Sequence, residues 1–310
     1  MKLKTLILTI ALILGVSTNI SAQPGAIKKA ADAAFTLTTF KADGSILATS
    51  NGVCISTDGV AVSPWKPFIG ADKAVIIDAK GQKHEVDCLL GANEIYDIVK
   101  FQVSGKTIAA PLATTVSVGD EAWITPMPKS GNAEKADVSS VEKFMDKYNY
   151  TILKSSATDK LNGAPVFNAK GQVIGLFNSA GESQSSTDAN YAKDFVVKGL
   201  SQNDITLRQS NIRIGLPNTV EEAVVALMLS SEKPTNIHEA IVNEFISKFP
   251  QANDGYYALA NIQVAKGDFA NADKTMQTAI SKVTAKDEAH YNFARLIYRN
   301  ALIQEFAEKT

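Results

Sequence analysis

Few side chains in this 310-residue sequence stand in combinations that could do chemistry. Cys54 and Cys88 form an even pair, compatible with one disulfide in an exported protein. Both also sit in strand-like runs, Gly-Val-Cys-Ile and Val-Asp-Cys-Leu-Leu, where a thiol serves equally as a small buried hydrophobe. The three histidines, His84, His238 and His290, are scattered, and with two cysteines they make no zinc-ligand spacing, so no metal is expected. Ser63 lies close enough to Lys66 in sequence for a serine–lysine dyad, although nothing around them supplies an oxyanion site. His84 follows the Lys80-Gly81 turn and reads as a partly exposed strand residue, whereas His238 and His290 read as packing residues of helices. No glycine-rich phosphate loop, HExxH helix or calcium loop occurs, and no cofactor is implied. With 31 Lys+Arg against 32 Asp+Glu the formal net charge is −1, and no basic run suggests a nucleic-acid partner.

The elements that must position these residues fall into three parts. Lys2 and Lys4 precede the apolar run from Leu6 to Val16, and a more polar stretch ends at Ile20-Ser21-Ala22. This predicts an export signal cleaved after Ala22, leaving Gln23 first and no later run of membrane length. From about Ala34 to Asp204 short apolar runs recur: Phe35–Phe40, Gly52–Ile55, Ala74–Ile77, Ile98–Val103, Trp123–Thr125, Tyr150–Leu153 and Val173–Phe177. Asp43-Gly44, Asp58-Gly59, Lys80-Gly81 and Lys170-Gly171 punctuate them as hairpin turns do, which predicts an all-β barrel or sandwich. After about Asn211 the pattern becomes helical. Thr219 with Glu222 and Asn236 with Glu239 open two helices, Pro250 ends the second, and further helices flank Gly267-Asp268 and carry Ala289, Phe293, Leu296 and Ile297.

Taken in order, several segments of the β region resemble the protease domain of HtrA-type, trypsin-like serine proteases over roughly 170 residues. They are 52–76 (GVCISTDGVAVSPWKPFIGADKAVI), 94–103 (EIYDIVKFQV), 116–126 (VSVGDEAWITP), 161–179 (LNGAPVFNAKGQVIGLFNS) and 190–200 (NYAKDFVVKGL). The resemblance implies a double β-barrel. It also places the family's catalytic histidine at Lys66, its aspartate at Asp97, its serine at Asn162 and the oxyanion-hole glycine at Lys160. A serine hydroxyl needs a base of near-neutral pKa to take its proton. Lys66 is an ammonium at neutral pH, and the Asn162 carboxamide is not a nucleophile. Losing one triad member alone costs on the order of 10⁴–10⁶ in rate. Ser156 falls where the family lines its specificity pocket. Trp65, between Pro64 and Pro67, reads first as barrel packing, with capping of the old cleft as the alternative.

The helical tail resembles tetratricopeptide repeats. Residues 253–286 fit one unit, with Tyr256, Leu259, Ala260, Gly267, Asp268, Phe269, Ala272 and Ala279 in the expected places. Small Ala260 and Ala272 let paired helices approach, while Tyr256 fills the groove and is a candidate ligand contact. The expected organisation is a signal over 1–22, a trypsin-like domain over 23–210 and tetratricopeptide-like helices over 211–310. The expected function is that of a catalytically inactive protease homologue in the periplasm or outside the cell, holding a peptide or protein and not inserted in a membrane. An active serine endopeptidase using Ser63, Ser155 or Ser156 is the alternative.

Overall fold

The computed structural model describes residues 24–128 and 131–309, so the expected signal and its cleavage point lie outside the described residues. In the β region, hairpin turns set most strands beside their predecessors, and longer connections before β4 and β10 let each sheet close on itself. β1 (Ala34–Phe40), β2 (Ile46–Cys54), β3 (Val60–Ser63), β4 (Lys73–Ile77), β5 (Lys83–Asn93) and β6 (Ile98–Val103) form a closed antiparallel barrel in the order β1-β2-β3-β6-β5-β4. β7 (Glu121–Ile124), β8 (Glu134–Phe144), β9 (Tyr148–Ser155), β10 (Pro165–Asn168), β11 (Val173–Ala180) and β12 (Ser183–Thr187) close a second in the order β10-β11-β12-β9-β8-β7. These are the two barrels that the resemblance implied. The turn at Asp58-Gly59 shows why glycine is there: Gly59 has φ +96°, and a Cβ would sit 2.4 Å from the Val103 carbonyl oxygen.

Alternation along the strands sends one face inward. The first barrel is filled by Phe35, Leu37, Phe68 and Phe101, all fully buried, with Phe35 and Phe101 edge to face at 6.0 Å. Ile124, Val138, Leu153, Val166 and Phe177 fill the second. A third cluster joins Val53, Val62 and Ile98 of the first barrel to Trp123, Phe167 and Leu176 of the second, sealed by Ile27 of α1 (Gly25–Ala30). At roughly 1.5–3 kcal/mol per fully buried large apolar side chain, this shared core fixes the two barrels against each other.

Cys54 and Cys88 are both buried and both free, so the structure holds no disulfide between them. They stand on β2 and β5, which are not neighbours in the closed order. Cys54 belongs to the core of the first barrel, whereas the Cys88 sulfur faces Gly215, where a Cβ would come within 3.0 Å of it. Burial pushes each thiol up to about 12.

Residues 207–216 pack on the first barrel before the helices begin, with Leu207, Ile212 and Ile214 in its core. Here the chain lays a short parallel bridge against β5: the Leu89 N–H donates to the Arg213 carbonyl and the Gly215 N–H to the Leu89 carbonyl, each 2.9 Å. The helices are α2 (Val220–Ser230), α3 (Thr235–Lys248), α4 (Asn253–Ala265), α5 (Phe269–Lys282) and α6 (Lys286–Lys309). The Thr219 hydroxyl caps α2 by accepting from the Glu222 N–H, but Glu222 does not complete the expected box. Its carboxylate accepts instead from the Gly199 N–H. The second helix starts at Thr235, directly after Pro234, one residue before the expected Asn236, because Pro234 fixes the entry and no side chain caps it. Ala223 and Ala226 of α2 meet Ile241, Val242 and Phe245 of α3, while Ala260, Ala272 and Met276 join α4 to α5. Among the described residues no helix is long and apolar enough to cross a membrane.

Candidate functional site: the cleft between the barrels

β3 ends at Ser63, and a single 3₁₀ turn over Lys66–Phe68 follows. Trp65 before it and Phe68 within it drop into the first core, their rings stacked at 6.1 Å, which leaves Lys66 on the surface. Trp65 is fully buried and does not cap the cleft. Asp97 occupies the β5–β6 turn with φ +47°, a left-handed conformation that aspartate tolerates better than most residues. One carboxylate oxygen, Oδ1, accepts from the Lys66 backbone N–H at 2.8 Å, and Oδ2 lies 3.7 Å from Lys66 Nζ. Lys66 and Asp97 thus form an ion pair across the cleft, with the lysine side chain 74% exposed.

Asn162 follows a 3₁₀ turn over Asp159–Leu161. Four amides of this loop are spent on the protein's own carbonyls: Leu161 to Thr158 (3.0 Å), Asn162 to Asp159 (2.9 Å), Gly163 to Phe177 (2.8 Å) and Ala164 to Leu161 (2.9 Å). They do not converge on a common point where an oxyanion could sit. The Asn162 carbonyl accepts from Asn51 Nδ2 at 3.0 Å, tying the loop of the second barrel to β2 of the first. Gly163, at φ +82°, makes that approach feasible, since a Cβ there would lie 2.5 Å from the Asn51 carbonyl oxygen. The Asn162 side chain turns to β11, where Oδ1 accepts from the Ser179 N–H (2.7 Å) and Nδ2 donates to the Ser179 carbonyl (3.4 Å). Lys160 is exposed on the loop, and its carbonyl accepts from Asn51 Nδ2 at 3.4 Å.

Lys66, Asp97 and Asn162 line one cleft of about 310 Å³. Sequence reasoning missed further wall residues, among them Ile95, Tyr150 and Asn178. Ile95 offered a signal only in hindsight: it stands two residues before Asp97 and is 87% exposed, as an apolar lip. Ser156 is not in the wall. Its exposed side chain bonds Glu134 Oε2 at 3.3 Å, because β9 ends at Ser155 and the chain leaves the barrel there. The Ser63–Lys66 dyad does not form, since the Ser63 hydroxyl is fully buried and donates to the Pro64 carbonyl while Lys66 points outward to Asp97. Ser155 bonds Gln184 Oε1 at 2.7 Å.

His84 is buried rather than partly exposed. Its Nδ1 contacts the Ser104 carbonyl at 2.8 Å and its Nε2 lies 3.2 Å from Asp78 Oδ2, which locks the β4–β5 turn far from the cleft. His290 is exposed rather than packed. Tyr256 packs between the helices as expected, buried with its hydroxyl on the Pro250 carbonyl at 3.1 Å, and so is not open to a ligand. One residue on, about 100° around the helix, Tyr257 is the side chain that faces a concave groove.

That groove, about 1070 Å³, is lined from α2, α3, α4 and α6. Leu227, Met228 and Ala258 give it apolar lining, with Asp254, Lys266, Arg295 and Arg299 as its charged residues. Lys266 is paired with Glu239 at 2.6 Å, whereas among the residues whose side chains are described, which end at Ala301, neither arginine has a carboxylate partner.

No family model matches the chain, and no curated protein matches it. A solved structure described as "HtrA-type protease AlgW with tripeptide" is similar to it at 17% sequence identity and a TM-score of 0.47, over 55% of this chain and 60% of that one. The chain thus spans less than two thirds of that structure's length. The double barrel stands on its own strand order and closure.

Proposed function

We propose that this chain is an exported, non-catalytic homologue of HtrA-type serine proteases that binds extended peptide or protein segments. The observation that carries the reading is the chemistry of the cleft: an ammonium faces Asp97 where a proton acceptor is needed, and a carboxamide replaces the attacking hydroxyl. Hydrolysis of a peptide needs both groups and an oxyanion site. Retention of a shaped cleft without them suits recognition, and strand addition holds an extended chain through backbone hydrogen bonds alone. Purified mature protein incubated with unfolded casein and a fluorophosphonate probe is expected to show neither cleavage nor label. Label that disappears on replacing Ser63, Ser155 or Ser156 would establish an endopeptidase instead.

The helical groove supplies a second surface, in keeping with tetratricopeptide-like pairing of the helices. Its apolar side chains and its two arginines, which meet no carboxylate among the described side chains, suit a segment that carries aliphatic and acidic side chains together. A fluorescein-labelled peptide of alternating Leu and Glu is expected to bind with an affinity that falls as salt rises. The double variant Arg295→Glu, Arg299→Glu should weaken it by roughly tenfold or more, in the range of losing two charge-assisted contacts. Equal binding of a Leu–Gln peptide would sink the charge argument.

A further inference from the structure

The hydrogen-bond ladder on one flank of β11 outruns its partner strand. β10 pairs with β11 at Pro165↔Leu176, Val166↔Gly175 and Phe167↔Val173. The chain before β10 extends the ladder by one step, with the Phe177 N–H donating to the Ala164 carbonyl (2.9 Å) and the Gly163 N–H to the Phe177 carbonyl (2.8 Å). At Gly163 the backbone then turns away toward Asn51. The next residue of β11 whose N–H and C=O face this flank is Ser179, two residues on. On the opposite flank β12 continues alongside as far as Ala180↔Ser183. Ser179 therefore presents the open end of a sheet edge, of the kind that accepts another strand.

Both polar groups of that open position are taken by one side chain. Asn162 Oδ1 accepts from the Ser179 N–H at 2.7 Å, and Asn162 Nδ2 donates to the Ser179 carbonyl at 3.4 Å. A carboxamide carries a donor and an acceptor on one planar group, as a peptide bond does. We propose that the Asn162 carboxamide stands in for a bound peptide, and that an extended chain adds to β11 at Ser179 by displacing it. This deepens the peptide-binding reading of the cleft and rests on it. Asn162, Phe177 and Asn178 also line the cleft, so a chain added at this edge runs along its wall. The Asn162 backbone is held separately, through its carbonyl on Asn51 Nδ2 at 3.0 Å, so the side chain can leave while the loop stays. Residue 162 then sets how readily the edge accepts a ligand. Two neutral hydrogen bonds, one of them long, are what the ligand must replace.

The test pairs backbone hydrogen exchange with binding, comparing the native mature chain with Asn162→Ala and, should that variant fold poorly, Asn162→Ser. The probe is a short fluorescein-labelled peptide of alternating Thr and Val, alongside the same peptide N-methylated at alternate amides. Removing the carboxamide is expected to speed exchange at the Ser179 amide by about tenfold or more while Phe177 stays protected, and to tighten probe binding by about tenfold. The N-methylated peptide should not bind. Unchanged exchange at Ser179 in a folded variant would refute the stand-in, whatever the cleft binds. Ser179 set free with probe binding equal or undetectable in both proteins would refute the strand-adding ligand, and the peptide reading of the cleft with it.

Discussion

At the scale of single residues, Asp97 matters more through what it does to the backbone than through its charge. Its Oδ1 accepts from the Lys66 N–H at 2.8 Å, and that bond fixes the turn which drives Trp65 and Phe68 into the first core. A hydrogen bond to a charged acceptor contributes roughly 1.5–3 kcal/mol. The ion pair is a different matter: Nζ is 3.7 Å from Oδ2 on a lysine side chain 74% exposed, a class worth roughly 0–1 kcal/mol. Urea titrations should show Asp97→Ala losing about 2 kcal/mol and Lys66→Ala less than about 0.5 kcal/mol, with little change in slope. Equal losses would mean that the ion pair, not the backbone bond, holds the turn.

At the scale of elements, the strands could be read from sequence because their cues are local. Alternating apolar runs and turn glycines mark β1, β4, β6 and β11 within a few residues of their observed bounds. The contacts that shape the site are not local. Asn162 meets Ser179 across 17 positions and Asn51 across 111, and no pattern within a short window encodes either. Trp65 and Tyr256 each left two readings open in sequence, packing or ligand contact, because a large aromatic looks the same whether it faces a groove or a core, and burial decides both for packing. The α2–α3 hairpin offers a test that depends on pH. The Ser230 hydroxyl donates to the Leu227 carbonyl at 2.7 Å, so its oxygen is assigned as acceptor from Nδ1–H of His238 at 2.8 Å. Burial holds the His238 imidazole below its ordinary value of 6.5. The unfolded chain therefore binds the extra proton first as pH falls below about 6.5, and stability present above that value is lost as pH drops through the lower folded value. Helix melting followed by circular dichroism should shift to lower temperature from pH 7 to pH 5 by less in His238→Gln than in the native chain. An identical shift in both would assign the acid sensitivity to other groups.

At the scale of the whole molecule, one buried guanidinium couples the barrels to the helices. Arg213 belongs to the segment bridged to β5, and its side chain is only 14% exposed. Nη2 lies 2.7 Å from Asp87 Oδ2 on β5, and Nη1 bonds Glu244 of α3. Lys248 Nζ, donating to the Leu216 carbonyl at 3.0 Å, and Glu222, accepting from the Gly199 N–H, reinforce the same junction. Arginine suits this place because one rigid fork meets two carboxylates through separate nitrogens, where a lysine offers a single ammonium on a flexible stem. Truncation takes the guanidinium away from half-buried Glu244, so Arg213→Ala should cost about 1–3 kcal/mol, below the range for a fully buried pair because both acids keep some water. The loss should appear as uncoupling, and the sequence provides the reporters. Both tryptophans, Trp65 and Trp123, are buried in the barrels, while the long helices lie almost entirely in the C-terminal tail. In the native chain the fluorescence and 222-nm transitions in urea should coincide. In Arg213→Ala the helical transition should move to lower urea ahead of the fluorescence change, and Arg213→Lys should fall between the two. Transitions that stay superimposed at an unshifted midpoint would show that the two parts are held together without this contact.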